Sequence, residues 1–175
     1  MLDWDIEEDD DLLDSLADYF DDLPIEEPSR AQLYKLYGLF LADFDKDPIV
    51  IKGVVLKYNS AISKMPLTRG KPKGYEHLIT RESKYTKKRE FDRERANKIH
   101  WIKPIIEQKE DARIKYFEQV NKDGYNQQFY WYEVKGFIVI IRELDPDYLM
   151  ITGYSVDKDE TGKYRRWYNE YNESN

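Results

Sequence analysis

Both histidines of this 175-residue chain lie within residues 74–107, GYEHLITRESKYTKKREFDRERANKIHWIKPIIE, beside a dense run of arginines and lysines and Trp101. An imidazole changes protonation near neutral pH, and among fixed cations it can move a proton beside a phosphodiester without a metal. Transesterification of RNA needs a base for the ribose 2′-hydroxyl, an acid for the leaving oxygen and cations for the crowded phosphorane. His77 with Arg81, Arg89 and Arg95 supplies that set, and Thr152 in MITGYS adds a hydroxyl for the phosphate. These five are the candidate catalytic residues. Lys84, Tyr85, Arg93 and Tyr154 are the candidate substrate-binding residues.

From Arg69 to Arg95 there are ten Lys or Arg against five Asp or Glu, interleaved with Tyr75, Tyr85 and Phe91. Cations beside π-faces hold phosphates and stack unpaired bases, which is how single-stranded RNA is gripped, although a solvated charged face has the same composition. His77 also has a structural reading, as a ring hydrogen-bonded at a strand end. Thr152 and Tyr154 are residues that β propensity alone would place on a sheet face. His100, between Ile99 and Trp101, reads as packing or surface.

Other chemistries lack their residues. The chain has no cysteine, which excludes disulfides, thiolate metal sites and a cysteine nucleophile, and it has no HExxH, Walker, GxGxxG or GxSxG motif. Two histidines so differently placed do not suggest zinc, so neither metal nor cofactor is expected. Carboxylate pairs are plentiful, but no spacing singles one out.

Charge divides the chain. Residues 1–27 hold thirteen Asp or Glu and no Lys or Arg, so a net charge of −7 conceals a mildly cationic remainder. The organisation expected is an acidic arm over residues 1–28 and one α+β domain over 29–175. The arm could lie over the basic segment and imitate RNA phosphates at high effective concentration, or serve only as a solubilising tail. Its acidic start has neither the basic nor the apolar part of a secretory signal, and no run is long enough to span a membrane, so a cytoplasmic protein without membrane contact is expected.

Within the arm, Leu12, Leu13, Leu16 and Phe20 predict a short amphipathic helix ended by Pro24 and Pro28. Ser29 caps a second helix with Leu33, Leu36, Tyr37, Phe40, Leu41 and Phe44 on its apolar face. PIVIKGVVLKY predicts a strand with a bulge at Gly53, and residues 59–74 a loop. Asp92 caps a long helix, kinked at Pro104, that buries Ala96, Ile99, Ile102, Ile105 and Ile106. A further helix is expected over 112–120. Then come strands YNQQFYWYEV, FIVIIREL and YLMITGYSV, with a last strand pair reaching KYRRWYNEY. Helices first and an antiparallel meander last predict helices packed on a four- to five-stranded sheet.

Four short blocks, in order, carry a family resemblance: Gly74-Tyr75-Glu76-His77; Arg89-Glu90-Phe91-Asp92-Arg93-Glu94-Arg95; Lys98-Ile99-His100-Trp101 running to Ile105-Ile106-Glu107; and Ile151-Thr152-Gly153-Tyr154. Over residues 47–157 the chain resembles the phage-associated branch of the barnase, EndoU, colicin and RelE-like (BECR) ribonuclease superfamily. It departs from that pattern at Phe91 in place of proline, Lys98 in place of arginine and Gly153 in place of alanine. The resemblance implies a metal-independent ribonuclease fold, a phage-encoded or toxin context, roles for His77, Arg89, Arg95 and Thr152, and RNA as partner, with a cognate inhibitor or a host protein as a further one. Two rival functions remain: a non-catalytic module binding nucleic acid or protein, and an inhibitor whose acidic arm mimics nucleic acid.

Overall fold

The computed structural model describes residues 11–175. It is an α+β protein in which helices and a C-terminal helix enclose a four-stranded antiparallel sheet. Helix α1 spans Arg30–Leu41 and begins in a reciprocal cap: Ser29 Oγ accepts from Gln32 N at 3.1 Å, while Gln32 Oε1 accepts from Ser29 N at 2.9 Å. A wider helical turn, Ala42–Lys46, extends it and buries Phe44. The single strand expected next is instead a hairpin, β1 (Val50–Ile51) and β2 (Val54–Val55). Its turn residues Lys52 (φ 49) and Gly53 (φ 80) are both left-handed, the twist that closes a two-residue hairpin.

The basic segment follows as α2 (Lys73–Ile79), β3 (Thr80–Glu82), β4 (Arg89–Phe91) and α3 (Arg93–Asn97). The long helix expected from Asp92 is broken: Lys98 leaves the helical region (φ −119, ψ 12), a tight turn covers Ile99–Trp101, and α4 (Ile102–Glu107) starts afresh. Pro104 lies in the first turn of α4, where its missing N–H has no helical acceptor to satisfy. The inward residues are as expected, with Ala96, Ile99, Ile102, Ile105 and Ile106 all buried.

The sheet is β5 (Ile114–Val120), β6 (Asn126–Tyr132), β7 (Phe137–Glu143) and β8 (Tyr148–Ser155), paired in that order. Two sequence expectations fail here. Residues 112–120 were expected as helix, but 114–120 pair residue for residue with β6, from Ile114 opposite Tyr132 to Val120 opposite Asn126. The expected last strand pair is α5 (Lys158–Ser174), with Tyr164, Trp167, Tyr168 and Tyr171 on one face at helical spacing. The sheet explains both. Phe137, Val139 and Ile141 face the main core, Ile138 and Ile140 face α5, and two buried faces require helices on both sides.

Residues 11–23 form no helix, only a turn and an extended strap; the acids at positions 1–10 lie outside the described residues. Leu13, Leu16 and Leu23 are buried in the main core. Asn97 clamps the strap backbone, accepting from Phe20 N at 2.8 Å and donating to Phe20 O at 3.1 Å. Of the described strap acids, Asp18 pairs with Lys98 at 2.8 Å, and Asp11 and Asp14 with Arg113 at 2.8 and 2.9 Å, none of them with Arg81, Arg89 or Arg95. Among the described residues no helix is long and apolar enough to cross a membrane.

Candidate functional site

Helix α2 hands directly to β3, so His77 sits one turn before the strand. Thr80 occupies the junction and terminates the helix, its Oγ1 donating back to Glu76 O at 2.6 Å. Two guanidinium groups meet there. Arg89, on the strand paired with β3, donates from Nε to Thr80 Oγ1 at 2.8 Å and from Nη2 to Thr80 O at 2.9 Å, with Glu76 at 3.7 Å. Arg95, from α3, donates from Nη1 to Thr80 O at 3.0 Å, His77 O at 3.4 Å and Thr152 Oγ1 at 3.3 Å. Cations at the carbonyl end of a helix are favourably placed, and Arg89 spans Thr80 Oγ1 and Thr80 O with two separate nitrogens, which a lysine could not do.

Asp92 fixes the approach of Arg95. Its Oδ1 accepts from Arg95 N at 3.2 Å as the α3 cap, and its carboxylate lies 3.5 Å from Arg95 Nε. The guanidinium lies over the Tyr154 ring at 5.4 Å. Strand β8 is the sheet edge, which lets a side chain from α3 reach it. Gly153 lets the strand sit close to α4: a Cβ there would lie 3.2 Å from Phe137 and 3.3 Å from Ile102.

His77 is half-buried, and burial, followed by the Arg89 guanidinium, pushes it below the ordinary imidazole value. At neutral pH it is therefore an uncharged ring able to accept a proton. Burial also lowers Arg89 and Arg95, which stay charged. Hydrogen bonds within the described residues leave Arg89 Nη1 and Arg95 Nη2 without an acceptor.

A cavity of about 520 Å³ opens beside this junction. Arg81, Lys84, Arg89 and Arg95 line it together with Tyr154 and with Glu82, Asp92, Glu94, Asp157 and Glu160. His77, Thr152 and Arg93 are not on its wall. Tyr85, 96% exposed at the hairpin tip, joins Lys84 in a neighbouring cavity of about 220 Å³. Glu82, Asp92 and Glu94 belong to residues 69–95 themselves, but Asp157 and Glu160 arrive from the start of α5, which the composition of that segment could not foretell. Thr80 was also missed; its only sequence signal is a hydroxyl residue where helix becomes strand. His100 stands apart from the site, with Nε2 2.9 Å from Ala17 O under the strap. Among the described residues no cluster of three or more His, Asp or Glu is placed to hold a metal ion.

In comparisons with known proteins, no family model, curated protein or solved structure matches this chain.

Proposed function

We propose that this chain is a BECR-like, metal-independent ribonuclease whose centre is the junction of His77, Arg89, Arg95 and Thr152. The observation that carries the reading is the convergence of Arg89 and Arg95 on Thr80 O, with Arg95 bridging to Thr152 beside a neutral His77. In this reading His77 takes the proton of the ribose 2′-hydroxyl and the 2′-oxygen bonds to phosphorus. The bond to the 5′-oxygen breaks, that oxygen leaves with a proton from water, and a 2′,3′-cyclic phosphate remains. The free N–H groups of Arg89 and Arg95 stabilise the charge gathering on the phosphorane oxygens. Arg81, Lys84 and Tyr154 hold the flanking strand in the cavity. The antiparallel sheet with helices packed against it is compatible with such a fold, and the toxin or phage context comes with the same resemblance.

The test is total-RNA cleavage in EDTA by the full chain and by His77→Ala with circular dichroism unchanged. The reading requires cyclic-phosphate ends from the native chain and a loss of about 100-fold or more in the variant; unaltered cleavage by His77→Ala would remove the mechanism. A second reading, an RNA- or protein-binding module that does not cut, is favoured by His77 lying off the cavity wall and by the five carboxylates on it. Salt-dependent RNA retention without products would select it.

A further inference from the structure

We propose that the groove between α1 and residues 65–71 binds a planar aromatic ring carrying one phosphate, the chemistry of a nucleoside monophosphate. This cavity, of about 270 Å³, includes Arg30, Tyr34, Tyr37, Leu67, Lys71 and Tyr75 in its wall and shares no residue with the Arg81–Arg95 cavity. The proposal is therefore independent of the nuclease reading. This cavity has cations and no carboxylate, whereas four other cavities of the described surface carry at least as many acids as bases. Two positive charges, neither in an ion pair with another described residue, suit a single anionic group.

The aromatic part of the ligand has its own platform. Tyr34 is 82% exposed, a large π-face left uncovered, and Tyr37 packs edge-on against Tyr75 with ring centres 5.0 Å apart. The Lys71 ammonium lies 5.3 Å above the Tyr37 ring, so cation and stacking surface sit side by side. Tyr75 borders the same cavity at 1% exposure, and within the described residues its hydroxyl is buried with no hydrogen-bond partner. A buried hydroxyl without a partner is rare and costly, so a ligand whose binding shifts the Tyr75 ring to bring an acceptor within reach would gain by it.

Titration calorimetry on the full chain tests this with AMP, GMP, CMP and UMP, with adenosine, and with inorganic phosphate. Saturable binding of at least one monophosphate is expected, tighter than nucleoside or phosphate alone. It should weaken about tenfold in Lys71→Met and about fivefold in Tyr75→Phe, which keeps the ring and removes only the hydroxyl. Should Tyr75→Phe fail to fold, Lys71→Met and Tyr34→Ala, both at the surface, carry the test. No saturable binding below about 1 mM, equal binding by the variants, or phosphate binding as well as the monophosphates would each overturn the proposal. An RNA oligomer of about eight nucleotides separates two sources of the same chemistry: competition with the monophosphate means a nucleotide within a strand, and no competition means a free nucleotide.

Discussion

Arg95 donates a hydrogen bond to Thr152 across 57 positions of sequence, at 3.3 Å, and so ties helix α3 to the edge strand β8. The same Nη1 reaches Thr80 O and His77 O, making one guanidinium the point where the candidate centre is assembled.

Removing that fork therefore costs both stability and geometry. Arg95→Ala is expected to lower unfolding free energy by about 2 kcal/mol, since buried acceptors lose a charged donor. Arg95→Lys keeps one charged donor nitrogen for these acceptors but loses Nε beside Asp92 and the guanidinium plane over Tyr154, and should recover only part of the loss. Urea melts of the three proteins decide this; a lysine variant as stable as the native chain would show that charge alone matters.

Both histidines have folded-state values below 6.5, chiefly through burial. The native protein thus binds fewer protons than the unfolded chain. The stability tied to the neutral rings is present above about pH 6.5 and declines as pH falls, until each lowered native value is reached. Denaturation midpoints at pH 7.5, 6.5 and 5.5 should fall less steeply in His77→Gln/His100→Gln than in the native chain; parallel slopes would contradict the buried, neutral assignment.

Asp43 behaves in the opposite sense, because burial raises its carboxyl to about 6 against Lys103, which pulls it down. Its favourable contribution is complete below pH 3.8 and is lost as pH rises through about 6. Asp43→Asn should gain on the native chain between pH 5 and 7, by about 1 kcal/mol once solvent screening is allowed for. Thermal melts across that interval measure the gain, and a variant less stable at pH 7 than at pH 5 relative to native would reverse the sign.

The acidic strap is a structural part of the domain from Leu13 onward. Leu13 is fully buried, so Leu13→Ala should cost about 2–5 kcal/mol. Asp14→Ala, at an exposed ion pair with Arg113, should cost well under about 1 kcal/mol. Comparable losses from the two substitutions would mean that the strap is held by charge and not by its leucines.

Periodicity and local chemistry made much of the architecture legible. Ser29 and Gln32 announce α1, Asp92 announces α3, and the alternating aromatic segments with turns at Lys135-Gly136 and Asp145-Pro146-Asp147 announce three of the four sheet strands. Helix α5 and strand β5 were misread because their aromatic residues suit either element, and partner surfaces made the choice. Tyr164, Trp167 and Tyr168 cover a sheet face already apolar on both sides, while Phe117 stacks on Phe129 at 4.8 Å.

By itself, then, the amino-acid order determined which residues carry charge and hydroxyls, the helix caps, the turns and the meander, because those depend on neighbours a few positions apart. Tertiary structure alone decided that Arg89 and Arg95 share Thr80, that Glu160 lines the same cavity as those arginines, and that the strap leucines enter the core. Each of these joins groups distant along the chain, and such meetings are settled by which apolar faces must be buried against one another.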